Sequence, residues 1–184
     1  MSAQEYRALF ESVYPGFFER GSIRALPKEY IFDEMILHLS DFDPHIYEKA
    51  MDDSITFGYY EGDAETILGA VEKVEEGWLP IYKRENRVFC GYIDGKLASF
   101  CIIENMGEHT FAGKTVRVGG PGCVGTLPEY RHKGIGLTMV KHVTQILKDE
   151  GYDISFIHYT GVAPWYEKLG YKTIVRWNTD GILE

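Results

Sequence analysis

The sequence predicts a mixed α/β fold in which helices lie on the faces of one sheet with parallel and antiparallel strands. Three observations predict it. Two apolar runs flank Asp94-Gly95, a turn pair that favours a tight antiparallel hairpin. A long apolar stripe over residues 134–150 marks a strong helix directly after a Gly-rich strand. Beyond it the pattern runs strand, short helix, strand, so the order is helices, an antiparallel meander, then β-α-β-α-β. The 184 residues suit a single domain spanning 1–184.

Taken in order, residues 4–13 set Leu9, Phe10 and Val13 on one helical face before Pro15 stops the pattern. Ile31, Phe32, Met35, Ile36 and Leu39 recur at helical intervals, yet Ile36 to Leu39 also alternate as a strand would. Residues 1–35 are therefore expected to form a helical N-terminal extension, with 31–39 open between helix and strand. Asp43-Pro44 supplies an N-cap and first-turn pair for a helix to about Met51, and Asp63 does so for a helix to about Gly77. Strands are expected at 87–93 and 97–104, and another opens at 115–118 and continues irregularly to about Leu127. Met139, Val140, Val143, Ile146 and Leu147 make the stripe of the main helix, which Gly151 ends. A strand at 154–159, a short helix at 163–169 ended by Gly170, and a strand at 171–177 complete the chain.

The formal charge of −9 disfavours nucleic acid as a partner, because nonspecific binding of that kind rests on basic phosphate contacts. Cys90, Cys101 and Cys123 show no C-x-x-C spacing and read as reduced, mostly buried thiols. No metal site is expected. The N-terminus lacks a basic segment followed by an apolar run, so neither secretion nor a membrane partner is expected and the cytoplasm is the default location.

The chemistry concentrates around residues 120–136. Gly120-Pro-Gly122-Cys-Val-Gly125 matches G-x-G-x-x-G in form. In a dinucleotide fold, however, the glycines open the helix, whereas here the helix waits for Gly134. The strand at 154–159 also ends without the acidic residue that would hold a ribose hydroxyl. A P-loop fails because Lys133 precedes Gly134 and no Gly-Lys-Ser/Thr occurs. Arg131-His132-Lys133-Gly134-Ile135-Gly136 lies instead where a strand meets the main helix. Unpaired N–H groups and the helix dipole favour phosphate there, and glycines let it approach the backbone. The segment 128–142 carries a formal +2 within the acidic chain, which suits a small phosphorylated cofactor.

With its flanks, the stretch from Val124, Gly125 and Thr126 through Pro128 to Arg131 and Gly136 resembles the acetyl-CoA motif R/Q-x-x-G-x-G/A of the GCN5-related N-acetyltransferases. Ala163-Pro-Trp165-Tyr166-Glu-Lys-Leu-Gly170-Tyr171 is similar to that family's A-x-x-x-Y-x-x-x-G-F segment, in the expected order. The resemblance covers 87–177 best. It implies a mixed sheet splayed at a bulge in the Gly-rich strand, where Val124 and Thr126 offer backbone groups to the pantetheine arm of acetyl-CoA. It further implies that Arg131, His132, Lys133, Gly134, Ile135 and Gly136 hold the phosphates. The activity implied is acetyl transfer to a primary amine by direct attack on the thioester; the alternative is a non-catalytic acyl-CoA-binding or regulatory module on the same fold.

Such a reaction needs an oxyanion donor, an acid for the departing thiolate and a base for the amine. A backbone N–H near Cys123 or Val124 suits the first. The family position for the acid is Tyr166. Residues 116–127 contain no carboxylate, so the base falls to Glu104, at the end of the preceding strand, or His158, on the strand after the main helix. The acceptor is a small-molecule or peptide amine, selected by the N-terminal helices, the hairpin loops near Asp94 and Asn105, and the C-terminal strand. Oligomeric state is open between monomer and homodimer.

Overall fold

The computed structural model of the protein describes residues 2–183. In chain order the elements are α1 (Ala3–Val13), α2 (Gly21–Arg24), β1 (Phe32–His38), β2 (Ile55–Tyr59), α3 (Ala64–Val74), β3 (Val88–Ile93) and β4 (Lys96–Phe111). They continue with β5 (Lys114–Thr126), α4 (Ile135–Asp149), β6 (Ile154–Thr160), α5 (Ala163–Tyr166), β7 (Lys172–Asn178) and β8 (Gly181–Ile182). The strands are hydrogen-bonded in the order β2-β3-β4-β5-β6-β1-β7-β8. β5 runs parallel to β6, whereas β6-β1, β1-β7, β7-β8, β2-β3 and β3-β4 are antiparallel, so the sheet is mixed as expected. Two compact units divide the chain: Met1–Asp43, Asn105–Gly120 and Leu147–Glu184 form one, and Pro44–Glu104 with Pro121–Ile146 form the other.

In the first unit Ser2 and Glu5 close a capping box that starts α1, and Leu9 and Phe10 bury against Phe17, Phe156 and Trp177. Residues 32–35 depart from the expected helical extension: they belong to β1. The reason is position. β1 lies between β6 and β7 and is buried along Asp33 to Leu37, so it reads as a near-continuous buried run without alternation. Glu34 sits in its middle with 0 % exposure. Both neighbours slip register around it, between Asp33 and Met35 on the β6 side and between Glu34 and Met35 on the β7 side. The paired register of β5 with β6 is short, Val118 opposite Ile154 and Gly119 opposite Ser155. At Gly120 the backbone lies against Phe156, and any Cβ there would collide with the Phe156 carbonyl. β4 continues through Asn105 to Phe111, so the expected loop at Asn105 is strand; the turn falls at Ala112 and Gly113, both left-handed.

In the second unit Asp63 caps α3 by accepting from Thr66 N at 2.8 Å. Asp94 and Gly95 turn the β3-β4 hairpin with φ of 51° and 71°, the backbone the turn pair predicts. No helix forms over 44–51 despite the Asp43-Pro44 signal. Ile46, Tyr47, Ala50 and Met51 share a helical spacing, but none of them is buried, so no packing supports a helix, and the segment is anchored from a distance instead, by Lys141 Nζ donating to Tyr47 O at 3.0 Å. The core of this unit gathers Ile67, Val71, Tyr82, Cys90, Phe100, Ile102 and Leu127. Among the described residues no helix is long and apolar enough to cross a membrane.

Candidate functional site

The C-terminal part of β5 is shaped by what lies against it. Cys123 has a left-handed φ of 48°, a conformation that costs a residue with a Cβ about 1–2 kcal/mol and marks the irregular point the glycines announce. Gly122 lies against Glu104, whose carboxyl occupies the space a Cβ would need. Gly125 likewise lies on the Phe100 ring. Leu127 N then donates to Ala98 O at 2.9 Å, which fixes where the strand ends. Glu104 thus stands beside the left-handed residue of the strand that carries Val124, Gly125 and Thr126.

Cys123 is not activated as a nucleophile. Burial, and then the neighbouring Glu104 carboxylate, push its thiol up to about 12. Burial also raises Cys90 to about 12 and holds Cys101 well above the ordinary thiol range. These thiols stay protonated near neutrality; Cys90 and Cys101 are buried and Cys123 is half-buried, in keeping with their reading as mostly buried thiols.

After β5 the chain makes a 3-10 turn at Pro128–Tyr130 and then two left-handed residues, His132 with φ 64° and Gly134 with φ 84°. Left-handed residues so spaced gather backbone N–H groups into a concavity suited to an anion. The first intrahelical bond of α4 runs from Thr138 N to Gly134 O, so the N–H groups of Ile135, Gly136 and Leu137 lack intrahelical partners. Arg131 Nε donates to Thr126 O at 3.1 Å, bracing the loop on the strand it leaves. Lys133 Nζ lies 5.5 Å from the centre of the Tyr130 ring. A cation the motifs did not reveal joins them: Lys49, whose Nζ lies 3.0 Å from where a Cβ on Gly134 would be. Lys141, counted with the basic segment, instead holds Tyr47, two residues before Lys49.

In the first unit Tyr166 ends α5, is 6 % exposed, and meets Trp165 and Tyr171 edge-on with ring centres 4.8 and 6.1 Å away. Tyr171 Oη shares a hydrogen bond of 2.7 Å with Ser155 Oγ. His158 is held on several sides. Its Nδ1 lies 2.8 Å from Glu34 Oε2, its ring stacks on Tyr14 at 3.7 Å, and Phe17 meets it edge-on at 5.1 Å. Glu34 Oε1 accepts from Trp177 Nε1 at 2.8 Å and from Tyr159 N at 3.2 Å. This network satisfies a carboxyl buried in the centre of β1 and ties that strand to β6 and β7. Sequence reasoning missed Glu34, because an acidic residue in an ambiguous apolar run gives no signal of burial. It missed Lys49 and Tyr82 because both lie outside any motif.

Comparison with known proteins bears on this arrangement. A family model described as "Acetyltransferase (GNAT) domain" matches residues 54–174. A GCN5-related glucosamine N-acetyltransferase region of a fungal multi-domain GH3 β-N-acetylglucosaminidase is similar in structure, with a TM-score of 0.67 and 21 % identity over 82 % of this chain and 20 % of that one. A GCN5-related N-acetyltransferase from Sphaerobacter thermophilus gives a TM-score of 0.59 and 20 % identity over 80 % of this chain and 50 % of that one. One from Kribbella flavida gives 0.56 and 15 % over 80 % and 56 %. At these identities the structures establish the fold, and this chain spans a fifth of the fungal protein and about half of each bacterial one. No curated protein matches.

Proposed function

Because the chain belongs to the GNAT family of acetyltransferases, we propose that it moves an acetyl group from acetyl-CoA to a primary amine by direct attack, without an acetyl-enzyme. The observation that carries this reading is the continuous stretch from Gly122 to Gly136. There a strand turns left-handed at Cys123 beside Glu104 and passes straight into the left-handed loop before α4. The loop fits the phosphates of CoA through the N–H groups of the first turn of α4, Arg131, Lys133 and Lys49. Val124 and Thr126 offer their backbone groups to the pantetheine arm.

Bound acetyl-CoA would supply the acetyl group in activated form, as a thioester. The chain's residues then divide the work. The Val124 N–H receives the charge that develops on the carbonyl oxygen. Glu104 takes the proton the amine loses as its nitrogen bonds to the acetyl carbon, and Tyr166 gives a proton to the sulfur as the carbon–sulfur bond breaks. The products are an amide and free CoA thiol, and solvent resets both side chains. Glu104 is preferred to His158 as base because it stands beside Gly122, next to the left-handed Cys123, whereas His158 has Nδ1 engaged by Glu34 and its ring packed against Tyr14 and Phe17 in the core of the first unit.

The phosphate part of this reading is tested by Arg131→Glu. Arg131 is exposed, so the fold should persist, while reversed charge at the loop should raise the Kd for CoA at least tenfold, equivalent to about 1.4 kcal/mol. Calorimetric titration with CoA reads this directly. An unchanged Kd would remove the phosphates from this loop.

A further inference from the structure

Tyr82 lies outside the two motifs, on the irregular segment between α3 and β3, yet its side chain reaches the middle of the candidate site. It is 7 % exposed, packs edge-on against Phe100 at 5.8 Å between ring centres, and belongs to the core of its unit with Ile67, Val71 and Ile102. Its hydroxyl donates to the carbonyl oxygen of Cys123 at 3.1 Å. That carbonyl belongs to the one residue of β5 that adopts a left-handed backbone without being glycine. The glycines on either side, Gly122 and Gly125, have no side chain with which to hold the strand's path.

The geometry of one peptide unit connects this bond to the chemistry. The Cys123–Val124 peptide is trans, so the Cys123 C=O and the Val124 N–H point in opposite directions from the same planar group. Holding the carbonyl oxygen therefore holds the direction of the Val124 N–H. The bond also polarises the peptide: a donor on the oxygen draws density from the nitrogen and makes its N–H a stronger donor in turn. Burial pushes the Tyr82 phenol above its ordinary range, so the hydroxyl remains a donor at any working pH.

We infer that Tyr82 is a positioning residue for acetyl transfer: through the Cys123 carbonyl it orients and strengthens the Val124 N–H that receives the developing oxyanion. This rests on the function proposed above and assigns a task within it to a residue that no motif contains. Phe100 and Glu104, which support Gly125 and Gly122, set the path of the strand; Tyr82 sets the rotation of one peptide within it.

The test uses Tyr82→Phe in the full chain, which keeps the ring and its packing. In the ligand-free protein the Val124 amide nitrogen resonance should move upfield, because the hydrogen bond to the preceding carbonyl is gone. With acetyl-CoA and an accepted amine, kcat should fall about tenfold, since the oxyanion donor is weakened and not removed. KM for acetyl-CoA should stay within about twofold, as expected when an interaction made in the transition state is lost. Incorporation of 3-fluorotyrosine at position 82, which restores an O–H donor, should recover kcat. An unmoved Val124 resonance, or a kcat equal to that of the parent at any loss of melting temperature, overturns the role of Tyr82 alone. Absence of thiol release from both proteins overturns the acetyl-transfer reading and this role with it.

Discussion

Tyr166→Phe should lower kcat by about 10²-fold or more while CoA binding stays within about twofold. A departing thiolate with a pKa near 8.5 gains from a proton delivered during bond cleavage, and a phenol near pKa 10 can deliver it when it is placed at the sulfur. Phenylalanine keeps the edge-on contacts with Trp165 and Tyr171 but has no proton to give. Losing a hydroxyl of this kind costs about 1 kcal/mol, or roughly 2–4 °C in Tm for a chain of this size. Activity and stability should therefore separate clearly. Stopped-flow detection of released thiol, beside a CoA titration, distinguishes lost acid catalysis from lost binding. Full activity in the phenylalanine variant would take Tyr166 out of the reaction.

Glu104→Gln should be comparably severe, about 10²-fold in kcat, with acetyl-CoA affinity preserved. Most primary amines are protonated near neutrality, with pKa values near 10.4 for a lysine-like group, so the nucleophile must lose a proton before or during attack. Glutamine keeps the shape that lies against Gly122 but cannot take that proton. The deficit should narrow as the pH rises toward the amine's own pKa, because solvent then supplies the neutral amine. A pH–rate profile of variant and parent with one amine checks this. A constant or absent deficit would transfer the base to another group, with His158 the first to examine.

Much of the fold around the candidate site was legible in the sequence because the local patterns agreed with the local structure. Residues 135–149 form α4 since their apolar stripe is unbroken, and Asp94-Gly95 adopts the left-handed pair that its hairpin needs. The glycines around Cys123 pointed to irregular backbone, and Cys123 itself is left-handed. What failed were segments whose structure is decided by distant partners. β1 is buried between two strands, so the alternation that identifies a strand is absent, and its central Glu34 is satisfied by His158, Tyr159 and Trp177, 124 to 143 residues away. Residues 44–51 carry a helix-start signal, but none of their apolar side chains is buried, and Lys141 holds them as irregular chain. The same physics hid Tyr82 and Lys49: each reaches the site through the fold, and neither lies in a spacing that a single sequence can reveal.

The central claim, acetyl transfer from acetyl-CoA to an amine, is tested most directly by measuring thiol release from acetyl-CoA by the unmodified protein. The measurement should cover a panel of amino sugars, aminoglycosides, amino acids, polyamines and lysine peptides. At least one amine should accelerate release in proportion to enzyme concentration, with an N-acetyl product of the corresponding mass increase. Tight CoA binding without release for any amine would contradict the claim and leave a non-catalytic acyl-CoA-binding module on this fold.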